Sequence, residues 1–179
     1  LGENVLEGSE SQYNHTGYVI HGSIYKKRPD INAIFHLHTP AGIAVSTMES
    51  GLLPLSQFSL HFYNRLAYHA YDSLALDYKR QGEQLAHDLG GKKAMLLANH
   101  GTLTCGENIH EAYLYMHFLE QSCRVQCAAL AGSQQVILPP HTVCEQAAQD
   151  LRHFEKDFGI RDWNALLRKV ERLDPGYRE

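Results

Sequence analysis

The chain has few of the features that mark a membrane protein or a nucleic-acid-binding protein. No apolar run approaches the roughly 20 residues that an α-helix needs to cross a bilayer, and no signal-peptide pattern opens the chain. Basic residues are outnumbered, with 16 Lys and Arg against 20 Asp and Glu, and the one basic cluster is Lys26-Lys27-Arg28. We therefore expect no membrane partner, no nucleic-acid partner and a cytoplasmic location.

Cysteine is also scarce and lacks the spacing of a redox or zinc-ribbon motif. The four cysteines are Cys105, Cys123, Cys127 and Cys144. None forms a Cys-x-x-C pair, and Cys123 and Cys127 are spaced by one helical turn. We therefore expect four reduced thiols that pack in the core of a cytoplasmic protein.

Length and composition favour one domain. At 179 residues without internal repeats or low-complexity tracts, the chain is long enough for one sizeable core, so we predict a single domain over residues 1–179. The first residue is Leu1 rather than methionine, and the stretch from there to Asn14 is polar. We therefore expect that part of the native N-terminal segment is missing.

Histidine, in contrast, is abundant, and three of the twelve histidines stand in two similar phrases. In Ile34-Phe35-His36-Leu37-His38 the apolar run is that of a strand, so His36 and His38 project to one face while Leu37 points the other way into packing. His100 follows a second apolar run and precedes a glycine. Three imidazoles with one open coordination position are typical of catalytic zinc, so we predict that these three residues bind Zn²⁺ or another divalent transition metal.

Hydrophobic periodicity and capping residues predict alternating helices and strands. Helices are predicted over residues 16–28, 40–48, 78–89, 109–130, 140–156 and 163–173, and strands over 31–37, 66–71, 94–98 and 136–138. The long helix is expected to be capped by Asn108 with Glu111 three residues on, and the last helix by Asp162.

Several of these segments, in this order, resemble the class II aldolase/adducin family. They are Asn14-His15-Thr16-Gly17, His36-Leu37-His38-Thr39-Pro40-Ala41-Gly42, Gly51-Leu52-Leu53-Pro54, Ala67-Tyr68-His69, Asn99-His100-Gly101 and Leu173-Asp174-Pro175-Gly176-Tyr177. The resemblance implies a three-layer α/β/α domain around a mainly antiparallel sheet, assembled as a homotetramer. It also implies zinc held by histidines that match His36, His38 and His100, and a small hydroxy-carbonyl substrate.

The chain departs from the family pattern at one functional position. The family's sugar-phosphate aldolases have an acid/base glutamate eight residues before a tyrosine that resembles Tyr25, and here that position is Gly17. Nearby acids and hydroxyls that could replace it are Glu7, Glu10 and Tyr18. The family's phosphate-binding loops belong to an N-terminal portion that this chain does not show, so the sequence does not predict a phosphate on the substrate.

Other residues have a structural and a functional interpretation. His61 and His69 could each line the pocket, as a proton donor or as a hydrogen-bond partner of a residue in the site, or could be half-buried polar residues on an edge strand. We expect His21 to pack and His117 to lie at the surface or a subunit contact. Asn99 is expected to orient the backbone beside His100, and Tyr113 is accounted for by core packing.

Two functions from different classes remain. The first is a zinc-dependent, aldolase-like lyase that cleaves or enolises a small hydroxy-carbonyl compound. The second is an adducin-like binding module without turnover, favoured by Gly17 and by the similarity of residues 39–42, 44–46 and 51–54 to the adducin head domain. Metal-assisted hydrolysis ranks last because no general base is evident, and motifs of serine hydrolases, kinases and dehydrogenases are absent.

Overall fold

The computed structural model describes residues 13–132, 135–154 and 158–178. The strands are β1 (Ala33–Leu37), β2 (Leu66–His69), β3 (Ala94–Leu97) and β4 (Gly101–Gly106). The helices are α1 (His15–Lys27), α2 (Pro40–Ser46), α3 (Gln57–Leu60), α4 (Glu83–Leu89), α5 (Ile109–Leu130), α6 (His141–Phe154) and α7 (Ile160–Leu173). A π-helical turn, Tyr78–Gly82, precedes α4.

Within these ranges, no helix combines the length and the apolar character that crossing a membrane would require.

The four strands form one sheet in the order β1-β4-β3-β2. β4 pairs antiparallel with both β1 and β3, whereas β2 pairs parallel with β3. Side chains of α1 and α4 pack on one face with those of β3 and β4, and side chains of α2 and α5 pack on the other. The predicted three-layer α/β/α fold with a mainly antiparallel sheet is confirmed.

Local sequence explains where the two principal helices begin. The Asn14 side chain accepts hydrogen bonds from the Thr16 and Gly17 amides, which caps α1, and the buried residues Val19, Ile20 and Ile24 follow at helical spacing. Asn108 accepts from the Glu111 amide at 2.9 Å and caps α5 as predicted. These caps satisfy amides that have no partner within the helix.

β4 is the main element that the sequence pattern did not predict. All six of its residues are buried, because it lies between β1 and β3 with helices on both faces. Thr102 and Thr104 alternate with Leu103 and Cys105, and the Thr104 hydroxyl donates to the Ala112 carbonyl of α5 at 2.8 Å. Satisfied hydroxyls therefore replace apolar side chains on the face toward α5.

The predicted strand over residues 136–138 is wrong. Residues 135–140 have no regular secondary structure, and Ile137 is 90% exposed. An apolar triplet needs a partner strand to satisfy its backbone, and Pro139 and Pro140 immediately afterwards prevent it from extending into one.

Several predicted boundaries also shift. The second strand ends at His69 rather than at residue 71. The last helix begins at Ile160, after Gly159 in a left-handed conformation, so Asp162 lies inside the first turn instead of capping it. For α6, the end predicted near Lys156 lies outside the described residues. The structure shows this helix as far as Phe154.

All four cysteines are free thiols, as predicted. Cys105, Cys123 and Cys144 are buried, and Cys127 is half-buried. Burial raises the pKa of Cys105 and of Cys123 to about 12. Thiols held in the neutral form are poor nucleophiles and poor metal ligands, which is consistent with a packing role.

Candidate metal centre

His36, His38 and His100 converge at one end of the sheet. Nε2 of His36 lies 2.9 Å from Nε2 of His38 and 3.3 Å from Nε2 of His100. One ligand nitrogen from each ring lies within 4.8 Å of the others. No other group of three or more potential metal ligands of the types His, Cys, Asp and Glu occurs in the described ranges.

Each histidine is placed by a different part of the fold. His36 lies in β1, His38 follows the last residue of that strand, and His100 lies in the tight turn between β3 and β4. The expectation that Leu37 points into packing is only partly met, since this side chain is 37% exposed.

The turn that carries His100 depends on two conformations. Asn99 adopts a left-handed backbone with φ of 56°, which asparagine tolerates better than most residues, and the His100 amide donates to the Leu97 carbonyl at 3.1 Å. At Gly101 a Cβ atom would lie 2.3 Å from the Leu37 carbonyl oxygen. Glycine is therefore required for β4 to approach the end of β1, which brings His100 to His36.

The hydrogen bonding of His36 leaves a lone pair on Nε2. Its Nδ1 lies 3.0 Å from the Thr102 carbonyl oxygen, which can only accept, so Nδ1 carries the proton. In the neutral ring Nε2 is then unprotonated and faces the other two histidines. A backbone carbonyl that fixes the tautomer in this way is typical of metal-binding histidines.

The electrostatics favour neutral imidazoles at His36 and His100. Burial, followed by the proximity of His100 and His38, lowers the pKa of His36 to about 4 despite the opposing hydrogen bond to Thr102. Burial also lowers the pKa of His100, and the charges of His38 and His69 act in the same direction. Neutral imidazole is the form that binds a metal ion.

The donor set and its spacing fit a tetrahedral transition-metal ion. Zinc–nitrogen bonds of about 2.0–2.1 Å place tetrahedral ligand nitrogens roughly 3.3–3.4 Å apart. Two of the three pairs lie at 2.9 and 3.3 Å, and all three nitrogens lie within 4.8 Å of one another. Three protein nitrogens would leave a fourth position for water or substrate. The observed cluster therefore fits an open catalytic site better than a closed structural one.

The segment after His38 is held by a half-buried acid, Glu120. The Thr39 hydroxyl donates to Oε2 of Glu120 at 2.5 Å and accepts from the Gly42 amide at 3.1 Å, which caps α2. Glu120 thereby connects the central helix α5 to the residue next to a candidate ligand. No motif or spacing in the sequence predicts this contact.

At Gly17 the structure shows space rather than a substitute acid. A Cβ atom there would meet only Asn14 atoms, at 3.7 and 3.8 Å, which is ordinary contact. Tyr18 stacks on Tyr78 with ring centroids 5.4 Å apart. The other two candidates to replace the family carboxylate, Glu7 and Glu10, lie outside the described residues.

Three other residues considered from the sequence make packing contacts or lie at the surface. His61 stacks on Phe118 at 4.7 Å, on the α5 side of the sheet. Tyr113 packs against Phe35 and Trp163, as the packing interpretation predicted. His117 is exposed.

Two further histidines lie near the cluster. His21 is half-buried, burial lowers its pKa, and its charge acts on His36. His69 lines a cavity together with His100, and its Nδ1 lies 2.7 Å from Oδ2 of Asp88. Asp88 was missed because no motif or spacing connects it to His69, 19 residues earlier.

Comparison with known proteins identifies the family. Residues 1–127 match the family model described as the class II aldolase and adducin N-terminal domain. The chain belongs to this family. A Pseudomonas aeruginosa protein named "Putative aldolase class 2 protein" is 40% identical over 178 residues, covering 97% of this chain and 68% of the relative. Rat alpha-adducin is 40% identical over 180 residues, covering 92% of this chain but 24% of that protein.

Solved structures show the same fold. An aldolase II superfamily protein from Pseudomonas syringae superposes with a TM-score of 0.83 at 41% identity, covering 96% of this chain and 68% of that one. An L-fuculose 1-phosphate aldolase from Glaciozyma antarctica superposes with a TM-score of 0.69 at 32% identity, covering 82% and 56%. The resemblance inferred from the sequence motifs is confirmed.

Proposed function

We propose that this protein is a zinc-dependent, aldolase-like lyase that acts on a small hydroxy-carbonyl compound. His36, His38 and His100 would hold the zinc ion. The observation that carries the proposal is the convergence of three imidazole nitrogens. For one of them, Nε2 of His36, the hydrogen bond from Nδ1 to the Thr102 carbonyl leaves a lone pair that can bind a metal ion. Membership of the class II aldolase and adducin family supports it.

The arrangement suits carbon–carbon bond cleavage beside a hydroxyl group. A bound zinc ion would act as a Lewis acid and stabilise the negative charge that develops on the substrate oxygens. The protein's part is to orient the ligands: Thr102 fixes the His36 tautomer, and the turn from Leu97 to Gly101 presents His100 beside the cavity. The structural similarity to an L-fuculose 1-phosphate aldolase from Glaciozyma antarctica supports a sugar-derived substrate.

A second candidate is an adducin-like binding module that keeps the scaffold without turnover. Gly17 favours it, because the carboxylate expected of the family's aldolases is missing there. Placed proton transfer contributes about 10²–10⁴-fold to a rate, so its loss would leave weak chemistry unless another group replaces it. The 40% identity with alpha-adducin supports this alternative, although the chain spans 24% of that protein.

Screening the zinc-loaded protein with hydroxyaldehydes, ketoses and their phosphates distinguishes the two candidates. The lyase proposal predicts metal-dependent release of aldehyde and hydroxy-carbonyl fragments by the wild type, and loss of that release in His36→Ala and His38→Ala. His117→Ala, at an exposed position on α5, is the matched control. Absence of metal-dependent cleavage across the panel would favour the binding module.

We also propose that the protein is a homo-oligomer, a tetramer by family resemblance. Apolar side chains remain exposed on the C-terminal helices, among them Phe154 and Leu173. None of the residues in α7 is buried, although its sequence is strongly amphipathic. Contact with another copy of the chain would cover this face.

A further inference from the structure

A histidine–carboxylate pair, His69 and Asp88, lies near the candidate metal centre without being one of its three candidate ligands. Nδ1 of His69 is 2.7 Å from Oδ2 of Asp88, and their side chains are only 13% and 22% exposed. His69 is the last residue of β2, and Asp88 lies near the end of α4. The pair therefore joins a strand end to a helix on the sheet face that carries α1 and α4.

The backbone fixes His69 next to the turn that presents His100. In the parallel register of β2 and β3, His69 pairs with Leu97, and the Ala98 amide donates to the His69 carbonyl at 2.9 Å. Two residues later the chain reaches His100. His69 and His100 both line one cavity.

Asp88 is held as a carboxylate that can only accept from His69. Gln84 Nε2 donates to its Oδ1 at 2.7 Å. Burial alone would raise the pKa of Asp88, but hydrogen bonds from His69, Gln84 and His87 outweigh it and hold the pKa below its usual value. In neutral His69 the proton must therefore reside on Nδ1, which leaves the lone pair on Nε2.

We propose that His69 is the proton-transfer residue of this centre and that Asp88 is its positioning residue. The inference rests on the proposed function, and it supplies the acid/base group that the family pattern places at residue 17. Nε2 of His69 takes the proton from the carbon next to the substrate carbonyl. The C–H electron pair forms the new C=C bond, and the carbonyl π pair moves to oxygen. The imidazolium returns the proton in the reverse step.

The orientation by Asp88 is the same physical device that prepares a general base in other enzymes. A carboxylate hydrogen-bonded to Nδ1 selects the tautomer with a basic Nε2 and stabilises the imidazolium that forms. In Asp88→Asn the amide NH₂ can donate to Nδ1 instead, which favours the wrong tautomer. We therefore expect both His69→Gln and Asp88→Asn to lower proton transfer, by about 10²-fold or more for His69→Gln.

The first test follows deuterium exchange from D₂O into dihydroxyacetone by NMR, with zinc-loaded protein. The wild type and the surface control His117→Gln are expected to exchange the carbon-bound proton at the same rate, and His69→Gln at least about 10²-fold more slowly. Zinc content and melting temperature should match among the three proteins. Equal exchange rates in wild type and His69→Gln would overturn the proposal.

A second readout needs no turnover. Calorimetry with glycolohydroxamate, an enediolate mimic, in buffers of different ionisation enthalpy counts the protons released on binding. Since His69 would keep the proton that the ligand loses, His69→Gln should release about one additional proton per site to the buffer. Unchanged proton release would contradict the role of His69 alone. Failure of the wild type to bind zinc or the hydroxamate would instead contradict the proposed function, and this inference with it.

Discussion

Gly17 is the residue that most limits the catalytic interpretation, and it can be tested directly. Its position in the first turn of α1 has open space around it and no acidic neighbour within that turn. Gly17→Glu should stabilise the protein by about 1 kcal/mol, because it removes a helical glycine and places a negative charge at the positive end of the helix dipole. Urea unfolding measures this change.

The same variant should also affect activity. If position 17 faces the reacting carbon, as the family resemblance implies, Gly17→Glu raises metal-dependent cleavage in the substrate panel, by up to about 10²-fold. Gly17→Gln is the matched control, since it fills the same space without an acid or base. Equal activity of the two variants would show that residue 17 does not reach the substrate.

The depressed pKa of His36 predicts how stability depends on pH in metal-free protein. The unfolded chain binds a proton at His36 near pH 6.5, whereas the folded chain does so near pH 4. Between these values the unfolded state holds more protons, so stability is full above pH 6.5 and falls as the pH drops toward 4, by up to about 3 kcal/mol. In His36→Gln, chemical denaturation across this pH range should show a smaller loss. An identical pH dependence in both proteins would contradict this account.

Sequence reasoning found the three candidate ligands because strand alternation and a His-Gly turn are local signals. His36, His38 and His100 were predicted from such patterns, and the structure brings them together. The His69–Asp88 pair was not predictable as a pair, since its contact depends on how α4 docks on the sheet. The assignment of His36, His38 and His100 as metal ligands stays a prediction.

At the scale of elements, the site depends on the close approach of β4 to the end of β1. Gly101→Ala places a Cβ atom against the Leu37 carbonyl, where the ideal distance would be 2.3 Å. We expect a loss of stability of roughly 2–3 kcal/mol and weaker zinc binding, because the strain displaces His100. Thermal unfolding and zinc titration measure the two effects.

Gly91→Ala is the matched control for that variant. A Cβ atom at Gly91 meets nothing within 4 Å, so the change should leave stability within about 0.5 kcal/mol and zinc affinity unchanged. If Gly101→Ala bound zinc as tightly as Gly91→Ala, the close approach of β4 to β1 would not be needed for the centre.

Helices with a long, regular apolar spacing could be predicted from the sequence. A strand whose burial depends on its neighbours in the sheet could not. α1 was predicted from its apolar spacing, and α5 was predicted together with its cap, because Asn108 precedes a regular apolar pattern. β4 was not predicted, because Gly-Thr-Leu-Thr-Cys-Gly has no local pattern typical of a buried strand. Its burial depends on pairing with β1 and β3 on either side. The apolar triplet at residues 136–138 was wrongly predicted to be a strand. It pairs with no strand in the described part of the chain.

At the scale of the whole molecule, the half-buried apolar face of α7 and its exposed Leu173 predict self-association. Sedimentation velocity should give a mass that is a multiple of 20.2 kDa, and Leu173→Glu, at a side chain that is 73% exposed, should shift the protein to smaller species. Lys169→Glu, at another exposed position of α7, is the control and should leave the assembly unchanged. A wild type that sediments as a monomer would contradict the prediction.

The layered fold was predictable only through family resemblance, because periodicity gives elements and not their order in a sheet. The order β1-β4-β3-β2, with one parallel pair, depends on long-range pairing that no local pattern specifies. The single-domain prediction over residues 1–179 and the cytoplasmic location stay predictions.

The central claim is that His36, His38 and His100 bind a metal ion, and metal analysis of the purified protein tests it most directly. After dialysis against buffered zinc, mass spectrometry of the metal should give about one zinc ion per chain for the wild type and for His117→Ala. His36→Ala, His38→Ala and His100→Ala should each retain far less. No bound transition metal in the wild type, or unchanged retention in the three variants, would contradict the account.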